Sequence, residues 1–143
     1  MDASIKSFVV DASFVLSSLL PDEKSPETDK VLRKYVAGDV NLFSTRVFEL
    51  EVYNGIRSAI LQRRITRENA LIISEQFHKL GISCEDVDSH EAFLVAIKEN
   101  LSVYDASYLW LAISKNLPLL TLDNKLIRII RKNEKNKQSF FPK

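Results

Sequence analysis

The sequence predicts an α/β fold: a three-layer α/β/α sandwich around a central parallel sheet of four to five strands. Short, continuous apolar runs such as Phe8-Val9-Val10 and Leu119-Leu120 alternate along the chain with stretches whose apolar residues recur at helical spacing. Runs without polar alternation suit strands covered on both faces, which is what helices on either side of a parallel sheet produce. The polar breaks between elements are short, and neither an internal repeat nor a flexible linker interrupts the alternation.

Lys6–Asp11 is the first strand, short and bulky, and Ala12–Leu20 follows as a helix. Pro21 to Pro26, with acids and a lysine between them, forms a polar break. The helix Glu27–Ala37 then places Val31, Leu32, Tyr35 and Val36 at helical spacing, and Gly38 ends it. Asp39–Ser44 is a second strand, after which Thr45 is expected to cap a long helix to about Arg64. In the helix Thr66 to Leu80, Ala70, Ile73, Phe77 and Leu80 make a buried stripe, stopped by Gly81. Ile82–Val87 reads as a third strand, and Ser89 as the cap of a short helix, Glu91–Asn100. Another helix covers Tyr104 to Lys115, Pro118–Leu122 is the fourth strand, and Asn124–Lys132 a final basic helix. Phe140-Phe141 is a candidate fifth, edge strand in a polar tail expected to fray from about residue 133.

A chain of 143 residues is about one domain long. It is read as one domain, 1–143, burying roughly two-thirds of its surface on folding. Twenty basic and nineteen acidic side chains leave a formal charge of +1, so overall charge neither demands nor excludes a nucleic-acid partner. The lone Cys84 cannot form an intrachain disulfide, which suits a reducing compartment, and no run reaches the ~18 apolar residues that span a bilayer. A cytoplasmic protein without membrane contact is the expectation.

Four carboxylates fall at one level of this architecture. Asp11 and Asp123 each close an apolar strand, at the edge where sites form in open α/β sheets. If Tyr104–Lys115 descends from that edge, its twelve residues travel roughly 18 Å at 1.5 Å each. The five residues of the fourth strand, at ~3.3 Å each, climb back by about as much. Asp105 and Asp123 therefore return to the same height. Glu51 lies on the second turn of the helix after the second strand. Its i±3 and i±4 neighbours Val47, Phe48, Asn54 and Gly55 form an inward face, whereas Glu49 has a more mixed surround and is left as a solvated or salt-bridged acid. Carboxylates held together repel, which raises their proton affinity unless a cation lies among them. Mg²⁺ and Mn²⁺ are hard ions that favour such oxygen donors.

The residues then match a family. Val9-Val10-Asp11-Ala12-Ser13, Glu51-Val52-Tyr53-Asn54-Gly55-Ile56, Tyr104-Asp105-Ala106-Ser107-Tyr108-Leu109-Trp110-Leu111-Ala112 and Leu120-Thr121-Leu122-Asp123 stand in order over nearly the full length. Together they resemble the blocks of the PIN-domain ribonucleases, and among these the VapC-type toxins of toxin–antitoxin pairs. Any one block is weak, and the four in sequence are specific. The resemblance implies a PIN-like fold and a divalent-metal-dependent endoribonuclease. It implies that Asp11, Glu51, Asp105 and Asp123 are the catalytic acids and hold one or two Mg²⁺ (or Mn²⁺) ions, with Ser13 and Thr121 as supporting hydroxyls. It also implies an RNA substrate, a homodimer and a VapB-type antitoxin. The alternative is a PIN-domain nuclease of RNA processing or a catalytically inert RNA-binding module. Trp110 is bulky for its block.

Each residue has a structural reading beside the functional one. Asp11 and Asp105 read equally as helix caps or dipole partners, Asp123 as a turn residue, and Glu51 as half of an ion pair with Arg57 or a lysine elsewhere. Thr121 is a β-former as well as a same-face neighbour of Asp123, and Ser13 a local cap. Tyr104, Tyr108 and Trp110 could stack bases, though core packing is the simpler reading on so apolar a helix. His78 and His90 have no partner motif. Arg57, Arg63 and Arg64, and Lys125, Arg128, Arg131, Lys132, Lys135 and Lys137, could carry a phosphate backbone toward the acids or form a solvated face. Phe14, Leu16, Leu19 and Leu20 look like more apolar surface than one core needs. A receiver-type phosphoacceptor would need an adjacent acidic pair after the first strand, and a dehalogenase-like phosphatase a second aspartate at position 13, where the chain has Ser13.

Overall fold

The computed structural model describes residues 4–135, so the expected strand at Phe140-Phe141 lies outside the described residues, as does the tail expected to fray from about residue 133 except for residues 133–135, which are helical. Among the described residues, four strands form one sheet: β1 (Lys6–Val10), β2 (Val40–Thr45), β3 (Ser83–Glu85) and β4 (Leu119–Leu120). Their order is β3-β2-β1-β4, and every pairing is parallel. In the centre Val9 pairs with Phe43 on one side and Leu119 on the other, so all four strands end at one edge. Among the described residues, six helices connect them and a seventh follows β4: α1 (Ala12–Leu19), α2 (Pro26–Val36), α3 (Phe48–Leu61), α4 (Arg67–Leu80), α5 (Ser89–Glu99), α6 (Val103–Lys115) and α7 (Asn124–Lys135).

Alternation along the central strands makes the layers. Val10 and Leu42 pack into a large cluster with residues of α1 to α4, while Val9 and Phe43 face the other way, against Leu111 and Ala112 of α6. Val9 and Val10 are both fully buried, which is why their run is uniformly apolar. The supposed surplus on α1 is absorbed here: Phe14, Leu19 and Leu20 are buried in the larger cluster and Leu16 packs against it. Gly55 of α3 permits the α1 contact, because a Cβ there would overlap the Leu16 methyls. Trp110 is half-buried beside Val9 and Leu111, its indole N–H 3.4 Å from a Glu91 carboxylate oxygen.

Several boundaries differ from the expected ones. Thr45 is the last residue of β2, not a cap: α3 begins at Phe48 after Val47, with no side-chain cap, and the buried Thr45 hydroxyl has no partner among the described residues. The cap of α5 is Asp88 rather than Ser89, its carboxylate accepting from the Glu91 N–H at 2.9 Å. The break after α1 contains a 3-10 turn, Pro21–Glu23, and Pro26 opens α2 at a position where its missing N–H costs nothing. Strands β3 and β4 are three and two residues long, shorter than the expected Ile82–Val87 and Pro118–Leu122. Elsewhere the turn chemistry agrees: Gly81 is left-handed at φ 58° and closes α4, and Thr66 caps the same helix through the Asn69 N–H at 3.1 Å. Among the described residues, no helix is long and apolar enough to cross a membrane.

Candidate active site

The common end of the strands opens into a cleft lined by Asp11, Ser13, Glu51, Asp105 and Asp123, together with Leu16, Val47, Leu50, Asn54, Tyr104 and Tyr108. Four elements supply the acids. Asp11 leaves β1 and caps α1, Glu51 stands in the first turns of α3, Asp105 in the first turn of α6, and Asp123 directly precedes α7. Glu49, on the same turn as Glu51, is exposed and does not line the cleft.

Asp11 is buried and fully engaged. One carboxylate oxygen accepts from the Ser13 hydroxyl at 2.6 Å and the Phe14 N–H at 3.1 Å, and the other from the Thr121 hydroxyl. Ser13 and Thr121 in turn hold the chain that carries Asp123: the Leu122 N–H donates to Ser13 at 2.9 Å, and the Asp123 N–H to Thr121 at 3.0 Å. The β1–α1 corner and the β4–α7 corner are thereby fastened through two hydroxyls. Asp123 accepts from the Lys125 N–H at 2.8 Å and the Leu126 N–H at 3.2 Å, leaving its other oxygen free of these contacts. The cap reading of Asp11 and the turn reading of Asp123 therefore hold as geometry, and these contacts aim both residues. Asp105 is not itself a cap, since Ser102 takes that role and accepts from the Asp105 N–H at 3.0 Å.

Glu51 has no ion pair with Arg57; the buried Tyr108 hydroxyl donates to its carboxylate. Spacing alone concealed this contact, because Tyr108 reads as core on α6. The available signal was its offset of three from Asp105, which puts both on one face of that helix.

Charge links the four acids. Burial raises the proton affinity of Asp11, and Asp123 adds to the rise against the lowering effect of Ser13, Thr121 and the Phe14 N–H. Burial likewise raises Asp105, again with a contribution from Asp123, while the Ser102 hydroxyl and, less, the charge of Lys125 pull it down. Glu51 is raised by burial and by Asp105, partly offset by Tyr108. The repulsion thus runs from Asp11 through Asp123 and Asp105 to Glu51.

Among the described residues no three His, Cys, Asp or Glu side chains stand close enough together to hold an ion as they are. The donor chemistry nevertheless suits a hard divalent cation: every candidate donor is oxygen, and three of the four carboxylates carry a proton affinity that positive charge would relieve. His78 and His90 are exposed and do not line the cleft.

Comparison with known proteins agrees with this architecture. The model of the PIN domain family matches residues 8–132. Ribonuclease VapC3 of Pyrobaculum aerophilum is 27% identical over 120 residues, covering 82% of this chain and 90% of that protein. Ribonuclease VapC9 of Mycobacterium tuberculosis is 29% identical over 118 residues, covering 82% and 87%. The crystal structure of PAE2754 from Pyrobaculum aerophilum superposes with a TM-score of 0.67 at 21% identity, covering 88% of this chain and 81% of that one. That of Mycobacterium tuberculosis VapC20, described as a sarcin-ricin loop cleaving toxin, gives 0.59 at 14%, covering 85% and 94%.

Proposed function

Because the chain belongs to the PIN domain family, we propose that it is a divalent-metal-dependent endoribonuclease, the toxin of a toxin–antitoxin pair. The observation that carries this reading is the cleft itself: four acids from four elements line one wall system at the strand ends, and Asp11, Glu51 and Asp105 each feel the charge of another of them. The naming of the curated relatives as VapC ribonucleases supports the toxin assignment over an RNA-processing role.

Asp11, Glu51, Asp105 and Asp123 would hold Mg²⁺ or Mn²⁺, one or two ions, with Ser13 and Thr121 fixing Asp11. A divalent ion bound there supplies Lewis acidity toward the scissile phosphate and lowers the proton affinity of the attacking water. The chain's own residues do the positioning. Ser13, Thr121 and the Phe14 N–H fix Asp11 in one orientation, and Tyr108 fixes Glu51. Leu16, Val47 and Leu50 give the cleft an apolar side, which weakens solvent screening of the charges opposite. The exposed Tyr104 beside Asp105 offers a face on which a base can stack.

RNA is the proposed substrate, and a second copy of the chain and a VapB-type antitoxin the proposed partners. Exposed Phe93, Leu94 and Ile97 on α5 give apolar surface for protein contacts. The test is ribonuclease activity of wild type and Asp105→Asn with Mg²⁺ and with EDTA, circular dichroism confirming the variant's fold. Equal activity in both proteins would end the reading.

A further inference from the structure

Beside the acidic cleft lies a second, basic groove, between the C-terminal end of α5 and helix α7. Lys98, Asn100, Lys125, Arg128 and Lys132 line it, with Glu99 as the acid among them. Lys125, Arg128 and Lys132 follow one another at i, i+3 and i+7, so α7 presents them along one face while Leu126 is buried on another. All four cations are exposed, and among the described residues none is in a salt bridge, unlike Arg64, which is held by Asp22 and Glu23. Unpaired cations along a groove cost stability through mutual repulsion unless an anion covers them.

Two short pieces of chain join groove and cleft. The Lys125 N–H donates to Asp123, which lines the cleft, and Asn100 of the groove lies four residues before Tyr104. The charge of Lys125 also reaches Asp105. A strand with one phosphate at the acids would therefore have its neighbouring phosphates delivered to α7. Two of the other arginines named from sequence are placed differently: Arg57 lines an apolar groove with Tyr53 and Leu71, and Arg64 is engaged.

We propose that this groove is the backbone seat of the RNA strand flanking the cleavage point, Lys98, Lys125, Arg128 and Lys132 each meeting phosphate. The inference rests on the nuclease reading for its choice of ligand and adds Lys98 and a direction of travel, across α7 and the end of α5. Regular spacing on one helix face suits a repeating phosphate better than an irregular acidic peptide.

The test is fluorescence anisotropy with a labelled single-stranded oligouridylate of about twelve nucleotides, in EDTA and at several salt concentrations. Wild type is compared with the double variant Lys98→Glu/Arg128→Glu and with a charge-matched pair on α2, Lys30→Glu/Arg33→Glu, which alters a different cleft. Each single-strand phosphate contact contributes about 0.7 to the salt slope. The groove pair should bind at least about tenfold more weakly, with a slope lower by roughly 1.4. The α2 pair should keep both quantities, and melting curves check that each variant folds. Unchanged affinity and slope in the groove pair, or the same loss in the α2 pair, would overturn the seat even if wild type cleaves RNA with Mg²⁺. A wild type that prefers polyglutamate to RNA at this groove would overturn it in favour of an acidic peptide. A wild type that cleaves nothing, but whose RNA binding still depends on Lys98 and Arg128, would sink the nuclease reading and leave the seat standing.

Discussion

Tyr108 of α6 donates its hydroxyl to Glu51 of α3, so a buried phenol from the helix that carries one cleft acid orients another acid across the cleft. Burial, followed by the hydrogen bond and charge of Glu51, pushes the phenol far above its ordinary range, so it remains a neutral donor at any physiological pH. Tyr108→Phe removes the donor and keeps the ring. The expected result is a loss of about 1 kcal/mol in stability and a Mg²⁺ concentration for half-maximal activity raised about tenfold, as for other partners behind metal ligands. Thermal melts and Mg²⁺ titrations of RNA cleavage measure the two. An unaltered Mg²⁺ requirement would reduce Tyr108 to a packing residue.

This contact also marks where sequence reading stops. The strands were legible because Phe8-Val9-Val10 and Leu119-Leu120 contain no polar residue to confuse the period, Val9 and Val10 being fully buried and Phe8, Leu119 and Leu120 partly so. The convergence of Asp11, Asp105 and Asp123 was legible because parallel strands share one end, so residues closing them share a level. Thr45 was misread because a threonine before a helix has the chemistry of a cap, while the backbone stays extended through it and turns at Arg46 and Val47. Tyr108 was hidden because one-dimensional spacing describes a helix face, and nothing in it says which helix will come opposite. Lys98 was missed for the same reason: it joins α7 only through the tertiary fold.

Asp11 carries two opposed effects, and two substitutions separate them. It caps α1, which favours folding, and as a buried anion near Asp123 it disfavours folding. Asp11→Asn retains an oxygen for the Phe14 N–H and removes the charge, so in EDTA at neutral pH its melting temperature should exceed that of wild type. Asp11→Ala also loses the cap and should be less stable than the asparagine variant by about 1 kcal/mol. With Mg²⁺ present wild type should gain on both variants. An asparagine variant markedly less stable than wild type in EDTA would assign Asp11 a purely structural role.

The pH dependence follows from the same shifts. Asp11 and Asp105 are raised above their ordinary 3.8 and Glu51 above its ordinary 4.5. In the acid range above those values the folded chain holds more protons than the unfolded one, so stability falls as pH rises through the folded values. Asp22 and Glu27 are lowered and act in the opposite sense, but both are exposed and weigh little. Metal binding to the cleft must displace the retained protons. The difference in melting temperature between Mg²⁺ and EDTA should therefore widen from pH 5 toward pH 8, and Asp105→Asn should flatten it. A difference independent of pH would separate the metal from these carboxylates.

Product ends test the chemistry itself. Ser13 is the cleft hydroxyl best placed to act as a nucleophile, yet it already donates to Asp11 and accepts from the Leu122 N–H, which leaves its oxygen structurally occupied. The alternative attack, by the substrate's own 2′-hydroxyl, calls for a base and an acid that titrate near neutrality. Histidine usually serves, and the two histidines lie on exposed positions away from the cleft. Water acting in line is what the acidic cleft suits, and it leaves a 5′-phosphate and a 3′-hydroxyl on the two fragments. Mass spectrometry of a cleaved oligoribonucleotide distinguishes these ends from 2′,3′-cyclic phosphate. Substituting a 2′-deoxy residue at the cleaved position should leave cleavage measurable, because the 2′-oxygen takes no part in bond making. Cyclic phosphate products, or abolition of cleavage by that single deoxy substitution with RNA binding retained, would replace hydrolysis by transesterification.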